Sequence, residues 1–175
     1  RPDFLLAMSN GDVGIEHTEA VPQNAARADE LREKEGLGPD TYFIQRAIPG
    51  DPKKPAEVLR REIAANKPPE PWVGDSVERE WADAMEFCVT RKTNRATAAG
   101  FGRYRSNWLI VYDNWPLPAV DYPRATSYLM PRLTTMNAFA VFDSIFVMND
   151  SQMCEFRYVP TIYALLKPWR KTATV

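Results

Sequence analysis

Residues 107–114 read NWLIVYDN, an apolar run that ends in two polar residues. Arg105 precedes the run, and Trp115 and Pro116 follow it. Apolar character without alternation over this length predicts a strand that is buried on both faces, in the middle of a sheet. The rest of the chain must then supply neighbours for a central strand.

The long segment before this strand has a helical pattern. Apolar residues recur at helical spacing from Ser76 to about Thr97, which predicts an amphipathic helix. Asp75 and Glu78 have the spacing of an N-cap residue and its reciprocal acid. We predict three further helices, from good helix formers and the positions of proline and glycine, at residues 23–35, 56–66 and 126–137.

Paired strands are predicted on both sides of the central run. Asn10 and Gly11 form a turn between two short strands near the N-terminus, which predicts a hairpin. Asn149 and Asp150 have the same position in a second strand pair. The strands of the two pairs are residues 3–6 and 13–21, and residues 142–148 and 153–159.

Strands separated by helices are typical of a layered α/β domain. We expect a three-layer α/β/α arrangement with a central mixed sheet, as a single domain over residues 1–175. Residues 38–72 are rich in proline and include the most basic local stretch, and we interpret them as an insertion at the surface. A solvated loop and a contact with nucleic acid or a partner both explain this insertion. The basic tail around Trp169 is interpreted as a surface segment.

Composition and charge limit the class of protein. The chain is 45% hydrophobic and 26% charged, as in folded globular domains, and no apolar run approaches the roughly 18 residues of a membrane helix. A net charge of −1 gives no general attraction to nucleic acid, so binding would need a local basic face. Cys88 and Cys154 lie in apolar patterns without CxxC spacing, which predicts two buried thiols and a cytoplasmic location. Because the sequence starts at Arg1, we expect that part of the natural N-terminus precedes it.

Two acidic residues of the N-terminal hairpin form the candidate site. Asp3 opens the first strand and Glu16 lies within the second, so strand pairing lets both carboxylates reach one hard divalent cation. Mg²⁺ or Mn²⁺ at this position would polarise a phosphoryl oxygen and orient a water molecule. Acids at these strand positions are also common without a metal, so the residues alone leave both interpretations open.

The hairpin resembles the metal-binding core of the PD-(D/E)XK, or restriction endonuclease-like, nucleases. In that superfamily a Pro-Asp opens one strand and an acid-X-lysine triplet lies in the next, and here these are Pro2-Asp3 and Glu16-His17-Thr18. The resemblance implies a restriction endonuclease-like fold and phosphodiester hydrolysis. It also implies a metal bound by Asp3, Glu16 and the backbone carbonyl of His17.

Thr18 occupies the position of the family's lysine. Alternation along a strand puts it on the same face as Glu16, but a threonine hydroxyl cannot supply positive charge to a transition state. A displaced cation could, and Lys92 on the long helix is preferred over Arg27 and Lys34. The predicted catalytic residues are Asp3, Glu16, Thr18 and Lys92.

The only histidine lies beside these acids. Strand alternation points His17 away from Glu16. We therefore expect its side chain to pack under the helices or to bond Glu19, rather than to act as a general base.

Polar and aromatic residues at the end of the central strand have competing interpretations. Asp113 and Asn114 either line a crevice at the strand end or form a turn before Trp115. The aromatic side chains of this region either pack in the core and loops or offer stacking surfaces to bases, and they are Trp108, Tyr112 and Trp115.

Two functions are compatible with these residues. The first is a divalent-metal-dependent nuclease, acting on DNA in preference to RNA. The second is a non-catalytic domain of the same fold that binds a partner protein or nucleic acid. The retained Asp3 and Glu16 favour the first, whereas the missing lysine favours the second. Motifs of ATPases, serine hydrolases and zinc proteases are absent from the sequence.

Overall fold

The computed structural model of the protein describes residues 1–98 and 102–165. These residues form an α/β fold with a six-stranded mixed sheet and four α-helices. The strands are β1 (Phe4–Leu6), β2 (Val13–Ala20), β3 (Ser106–Asp113), β4 (Ser144–Met148), β5 (Gln152–Phe156) and β6 (Thr161–Ala164). The helices are α1 (Gln23–Glu35), α2 (Ala56–Ala65), α3 (Ser76–Ala96) and α4 (Tyr122–Thr135), and a short 3-10 helix follows at Ala138–Ala140.

The strands lie in the sheet in the order in which they occur in the chain. β2, β3 and β4 are parallel to one another, and every other neighbouring pair is antiparallel. Glu16 of β2 lies opposite Leu109 of β3, which in turn lies opposite Ile145 of β4. The mixed sheet, the central position of the apolar run and both predicted hairpins are confirmed.

The helices α3 and α4 pack against one face of this sheet. Leu109 and Val111 of β3 are fully buried there, in one core with Trp81 of α3 and Leu129 of α4. On the opposite face, alternate residues of β3 such as Ile110 are only partly buried. Among the described residues a two-layer arrangement therefore replaces the predicted three layers, and the prediction that β3 is buried on both faces is wrong. The residues on both faces of β3 are apolar, so the sequence shows no alternation from which an open face could be recognised.

The predicted ends of several helices and strands differ from the structure. α1 matches its prediction and ends at Gly36, whose φ of 61° suits a glycine at a helix C-terminus. α4 begins before its predicted start, because the side chain of Asp121 accepts a hydrogen bond from the backbone N–H of Arg124 and caps the helix there. β6 was not predicted.

The capping box predicted for α3 is wrong. The Asp75 side chain makes no capping bond and instead accepts hydrogen bonds from Arg79 and Tyr128. Glu78 accepts a hydrogen bond from the backbone of Asp121. These contacts tie the start of α3 to α4.

The proline-rich segment is attached to the helices at many points. Gln23 and Asn24 of α1 donate to backbone carbonyls of residues 51 and 52, and Arg46 pairs with Glu80 of α3. This segment, with α1 and α2, therefore lies beside α3. The tail around Trp169 lies outside the described residues.

Both cysteines are buried free thiols, as predicted. Burial raises the pKa of Cys88 to about 11 and that of Cys154 to about 12, so neither is a reactive thiolate at neutral pH. None of the described helices combines the length and apolar character needed to cross a membrane.

Candidate functional site

Three charged side chains meet beside the start of β1, those of Asp3, Glu16 and Lys92. The Lys92 Nζ atom lies 2.8 Å from Glu16 Oε2 and 3.1 Å from Asp3 Oδ2. The two carboxylates therefore face one point on the helix-covered side of the sheet. The cation that is missing from the Glu16-His17-Thr18 triplet reaches the acids from α3.

The geometry of α3 explains how Lys92 reaches this point. Its sheet-facing stripe passes from Trp81 through Met85 and Cys88, and Lys92 continues the same spacing. Trp81 Nε1 donates a hydrogen bond to Asp113 at the carboxyl end of β3. From Trp81 to Lys92 the helix advances about 16 Å, at roughly 1.5 Å per residue. Because α3 runs from the carboxyl end of β3 back towards its start, Lys92 lies over Glu16 of β2.

Asp3 is positioned by the end of the β1–β2 ladder. The last backbone pair joins Phe4 and Ile15. The next N–H of β2 that points towards β1 is that of His17, and it has no β1 carbonyl to receive it. Asp3 Oδ2 accepts this N–H at 2.9 Å and takes the place of a backbone carbonyl. This hydrogen bond, followed by those of Lys92, lowers the pKa of Asp3, because both favour the ionised carboxylate.

The three side chains differ in their access to solvent. The Lys92 and Glu16 side chains are 13% and 11% exposed, whereas that of Asp3 is 46% exposed. The second oxygen of each acid, Asp3 Oδ1 and Glu16 Oε1, accepts no hydrogen bond from the described residues. Two carboxylate oxygens with water and substrate phosphate are the ligand set that Mg²⁺ commonly takes in enzymes. The residues present therefore fit a hard divalent cation.

Protein ligands beyond these two acids are not evident. Within residues 1–98 and 102–165, no group of three or more histidine, cysteine, aspartate or glutamate residues could hold a metal ion. Any further ligand would therefore be a backbone oxygen, water or the substrate itself.

The other predicted site residues are placed less centrally. The side chain of His17 is exposed on the open face of the sheet, so it points away from Glu16 as predicted, but the expected packing under the helices is wrong. Thr18 is half-buried on the face of Glu16. Arg27 donates to the backbone carbonyl of Lys54, and Lys34 pairs with Glu30, so neither supplies the missing cation.

A cleft of about 610 Å³ lies next to Lys92 and Thr18, whereas Asp3 and Glu16 are not among its lining residues. Its first wall is formed by α3, with Phe87, Arg91, Lys92 and Arg95. The opposite wall is formed by α1, α2 and the proline-rich segment, and Thr18 lies at the cleft on the β2 side. The cleft meets the candidate site through Lys92 and Thr18, and it is large enough for a small organic ligand.

Asp113 forms a second, half-buried carboxylate site, whose contact with Trp81 the sequence did not reveal. Its Oδ2 accepts the Trp81 indole N–H at 2.7 Å, and its Oδ1 accepts the backbone N–H of Trp115. Burial raises the pKa of Asp113, because few partners offset the loss of water around the charged form. The turn interpretation of Asp113 is thus supported by the hydrogen bond to Trp115. Asn114 bonds Glu19.

Comparison with known proteins identifies no relative of this chain. No family model, no curated protein and no solved structure matches the chain. The general α/β fold with a mixed sheet is shown, and membership of the PD-(D/E)XK superfamily stays a prediction that depends on the residues of the hairpin.

Proposed function

We propose that the chain is a divalent-metal-dependent nuclease of the PD-(D/E)XK type, in which Lys92 of α3 takes the role of the missing triplet lysine. One observation carries this proposal: the Lys92 ammonium lies within hydrogen-bond distance of both predicted metal-binding carboxylates. A lysine at helical spacing in an otherwise apolar stripe is costly to desolvate unless it meets opposite charge. The acid pair provides that charge.

Each residue has a defined chemical role in this proposal. Asp3 Oδ1 and Glu16 Oε1 would hold Mg²⁺ or Mn²⁺, which supplies polarisation of a phosphoryl oxygen and activation of water when bound. Lys92 stabilises negative charge that develops on the phosphoryl group, because its ammonium is held in place by two hydrogen bonds. The Thr18 hydroxyl lies on the same face and is available to position water.

A second candidate function rests on the same ion cluster. Lys92 neutralises part of the charge of Asp3 and Glu16 and ties β1 and β2 to α3, which is a structural role in its own right. A domain with this cluster would bind nucleic acid or a protein without cleaving it. Metal affinity and cleavage separate the two candidates.

The test is a calorimetric titration with Mn²⁺ on the wild type and on Asp3→Asn. Asparagine keeps an oxygen that can accept the His17 N–H, so the hairpin is retained while the charged ligand is lost. We expect Asp3→Asn to weaken Mn²⁺ binding at least about tenfold and to abolish cleavage of labelled DNA. Asp12→Asn is the matched control, since Asp12 is an exposed acid of the same hairpin.

Three results would decide between the candidates. Equal Mn²⁺ binding by the wild type and Asp3→Asn would remove the metal site. Specific Mn²⁺ binding without cleavage of DNA or RNA would favour the binding domain. Cleavage that requires Mn²⁺, Asp3 and Glu16 but not Asp12 supports the nuclease.

A further inference from the structure

The α3 wall of the cleft is positively charged. The α3 wall presents Arg91, Lys92 and Arg95 and no acid. Arg91 and Arg95 are exposed, and neither pairs with an acidic side chain among the described residues. The opposite wall carries both signs of charge, with the acids Asp29, Asp51 and Glu62 beside the cations Arg46 and Lys54. Lys54 pairs with Glu62, and Arg46 pairs with Glu80. A phosphate backbone that enters the cleft is therefore attracted to the exposed arginines of α3.

The cations on α3 lead away from the acid pair. Arg95 lies three residues beyond Lys92 on α3 and therefore on the same side of the helix, in the cleft lining. Arg91 lies one turn further along the same wall, with its guanidinium over the ring of Phe87 at 5.7 Å from the centroid. A strand whose scissile phosphate lies at Asp3 and Glu16 would have its neighbouring phosphates next to these arginines.

The interior of the cleft suits a base. Phe87 and Trp115 contribute aromatic surface to the lining, and both are partly buried. A volume of about 610 Å³ is within the range of small-ligand sites and accommodates a nucleotide. A base in duplex DNA cannot enter such a cleft unless it leaves the stack, which costs the free energy of unpairing and unstacking.

We infer that the cleft binds single-stranded nucleic acid, with a backbone phosphate on Arg91 and Arg95 and an unstacked base inside against Phe87 and Trp115. This inference deepens the proposed function and rests on it for the position of the scissile phosphate. The binding itself needs no metal. It is therefore measurable separately from cleavage.

The test is fluorescence anisotropy with a labelled single-stranded DNA 12-mer and with its duplex, in EDTA and over a series of salt concentrations. We expect the single strand to bind at least about tenfold more tightly than the duplex, as stacking on aromatic residues allows. Arg91→Gln and Arg95→Gln should each reduce affinity and lower the salt slope by about 0.7, the value for one phosphate contact on a single strand. Arg61→Gln is the matched control, because Arg61 is an exposed helical arginine outside the cleft.

Two further arms complete the design. Trp115→Leu should weaken binding of the single strand and leave the salt slope unchanged, since it removes stacking and no charge. Its melting temperature is measured in parallel, because Trp115 also packs against the core. Deoxyadenosine monophosphate is the competitor, because a free nucleotide has the same phosphate and base chemistry as the strand. Displacement of the 12-mer at a low concentration of this competitor assigns the cleft to a terminal or free nucleotide.

Equal affinity for duplex and single strand would overturn the inference, as would Arg91→Gln and Arg95→Gln variants that behave like Arg61→Gln. The proposed nuclease activity fails independently. A preference for the single strand without Mn²⁺-dependent cleavage supports this inference and contradicts the nuclease. Equal cleavage of duplex and single strand supports the nuclease and contradicts this inference.

Discussion

The helix α3 meets a carboxylate site at each of its ends, and the two sites differ in kind. At the C-terminal end, the Lys92 ammonium lies between Asp3 and Glu16, and the Asp3 side chain is half exposed. At the N-terminal end, the indole N–H of the fully buried Trp81 donates to Asp113, which is half-buried at the end of β3. One site has an excess of negative charge next to solvent, whereas the other holds a single acid without a cationic partner among the described side chains.

The pKa values of the two acids shift in opposite directions. Hydrogen bonds to the ionised form lower the pKa of Asp3, while burial raises that of Asp113. A carboxylate that is kept ionised and accessible is suited to bind a cation, and a carboxyl group that resists ionisation is suited to packing and turn formation. The proposed function rests on the acids at Lys92, whereas the acid at Trp81 bonds the turn at Trp115.

The largest effect is expected from Trp81→Ala. Trp81 is fully buried, so its removal leaves a large cavity and takes away the indole donor of Asp113. We expect the free energy of unfolding in urea to fall by about 3–5 kcal/mol. Trp108→Ala is the matched control on the open face of the sheet, where the indole is only partly buried, and its loss should be clearly smaller. Equal losses would show that the open face is covered as well as the core.

Lys92→Met sharpens the comparison at the other site. Methionine keeps an apolar stem of similar length, so α3 should still pack on the sheet. If the nuclease proposal holds, cleavage should fall by about 10²–10³-fold, as on removal of one group that stabilises the transition state. Mn²⁺ affinity should not fall, because the carboxylates then have one competing cation fewer. Lys53→Met, at an exposed lysine of the proline-rich segment, should leave both quantities unchanged.

Retained cleavage in Lys92→Met would contradict the catalytic role of this lysine. A fall in Mn²⁺ affinity to the level of Asp3→Asn would mean that Lys92 positions the acids rather than acting on the substrate. The cleavage rate and the Mn²⁺ affinity together therefore separate a catalytic role of Lys92 from a role in positioning the two acids.

The sequence predicted the central strand and the helix α3 because both have strong local patterns. It could not predict the open face of the sheet, since Trp108, Ile110 and Tyr112 are as apolar as the buried residues between them. Whether a helix covers a sheet face depends on how the connections are arranged in space. That information is not present in the periodicity of a single strand.

The candidate site was predictable in part for the same reason. Asp3 and Glu16 follow from the hairpin, and the sequence analysis preferred Lys92 of the long helix over Arg27 and Lys34. Extending the apolar stripe of α3 by one turn reaches Lys92, which is the signal that places it on the sheet side. The bond between Trp81 and Asp113 left no such signal, because an indole in an apolar stripe and an acid at a strand end each have an ordinary explanation.

The pH dependence of stability should differ in sign between the two acids. The pKa of Asp113 is raised in the folded state, so the unfolded chain releases its proton first as the pH rises above 3.8. The stability of the wild type relative to Asp113→Asn should therefore fall as the pH rises from about 4 to the folded pKa. The loss is about 1.4 kcal/mol for each tenfold difference in the protonation constant. Urea unfolding of both proteins at several pH values measures it.

Asp3 gives the opposite sign. Its folded pKa is lowered, so its contribution to stability is present above the ordinary value of 3.8 and is lost as the pH falls through the folded pKa. The stability of the wild type relative to Asp3→Asn should rise with pH in this acidic range, by a small amount because Asp3 is half exposed. The contrast between the two sites would be contradicted if the stability difference between wild type and variant changed with pH in the same direction for both acids.

The smallest effect is expected from His17→Ala, although His17 lies directly next to Glu16. The imidazole is exposed on the open face of the sheet, and Asp3 accepts its hydrogen bond from the backbone N–H, which alanine retains. The free energy of unfolding should change by no more than about 0.5 kcal/mol, as for other surface substitutions. Mn²⁺ affinity, measured by the same titration as for Asp3→Asn, should also be unchanged. A tenfold loss of affinity would place the imidazole among the metal ligands and would require β2 to turn its faces over at Glu16, which would end the correspondence between this hairpin and the nuclease core.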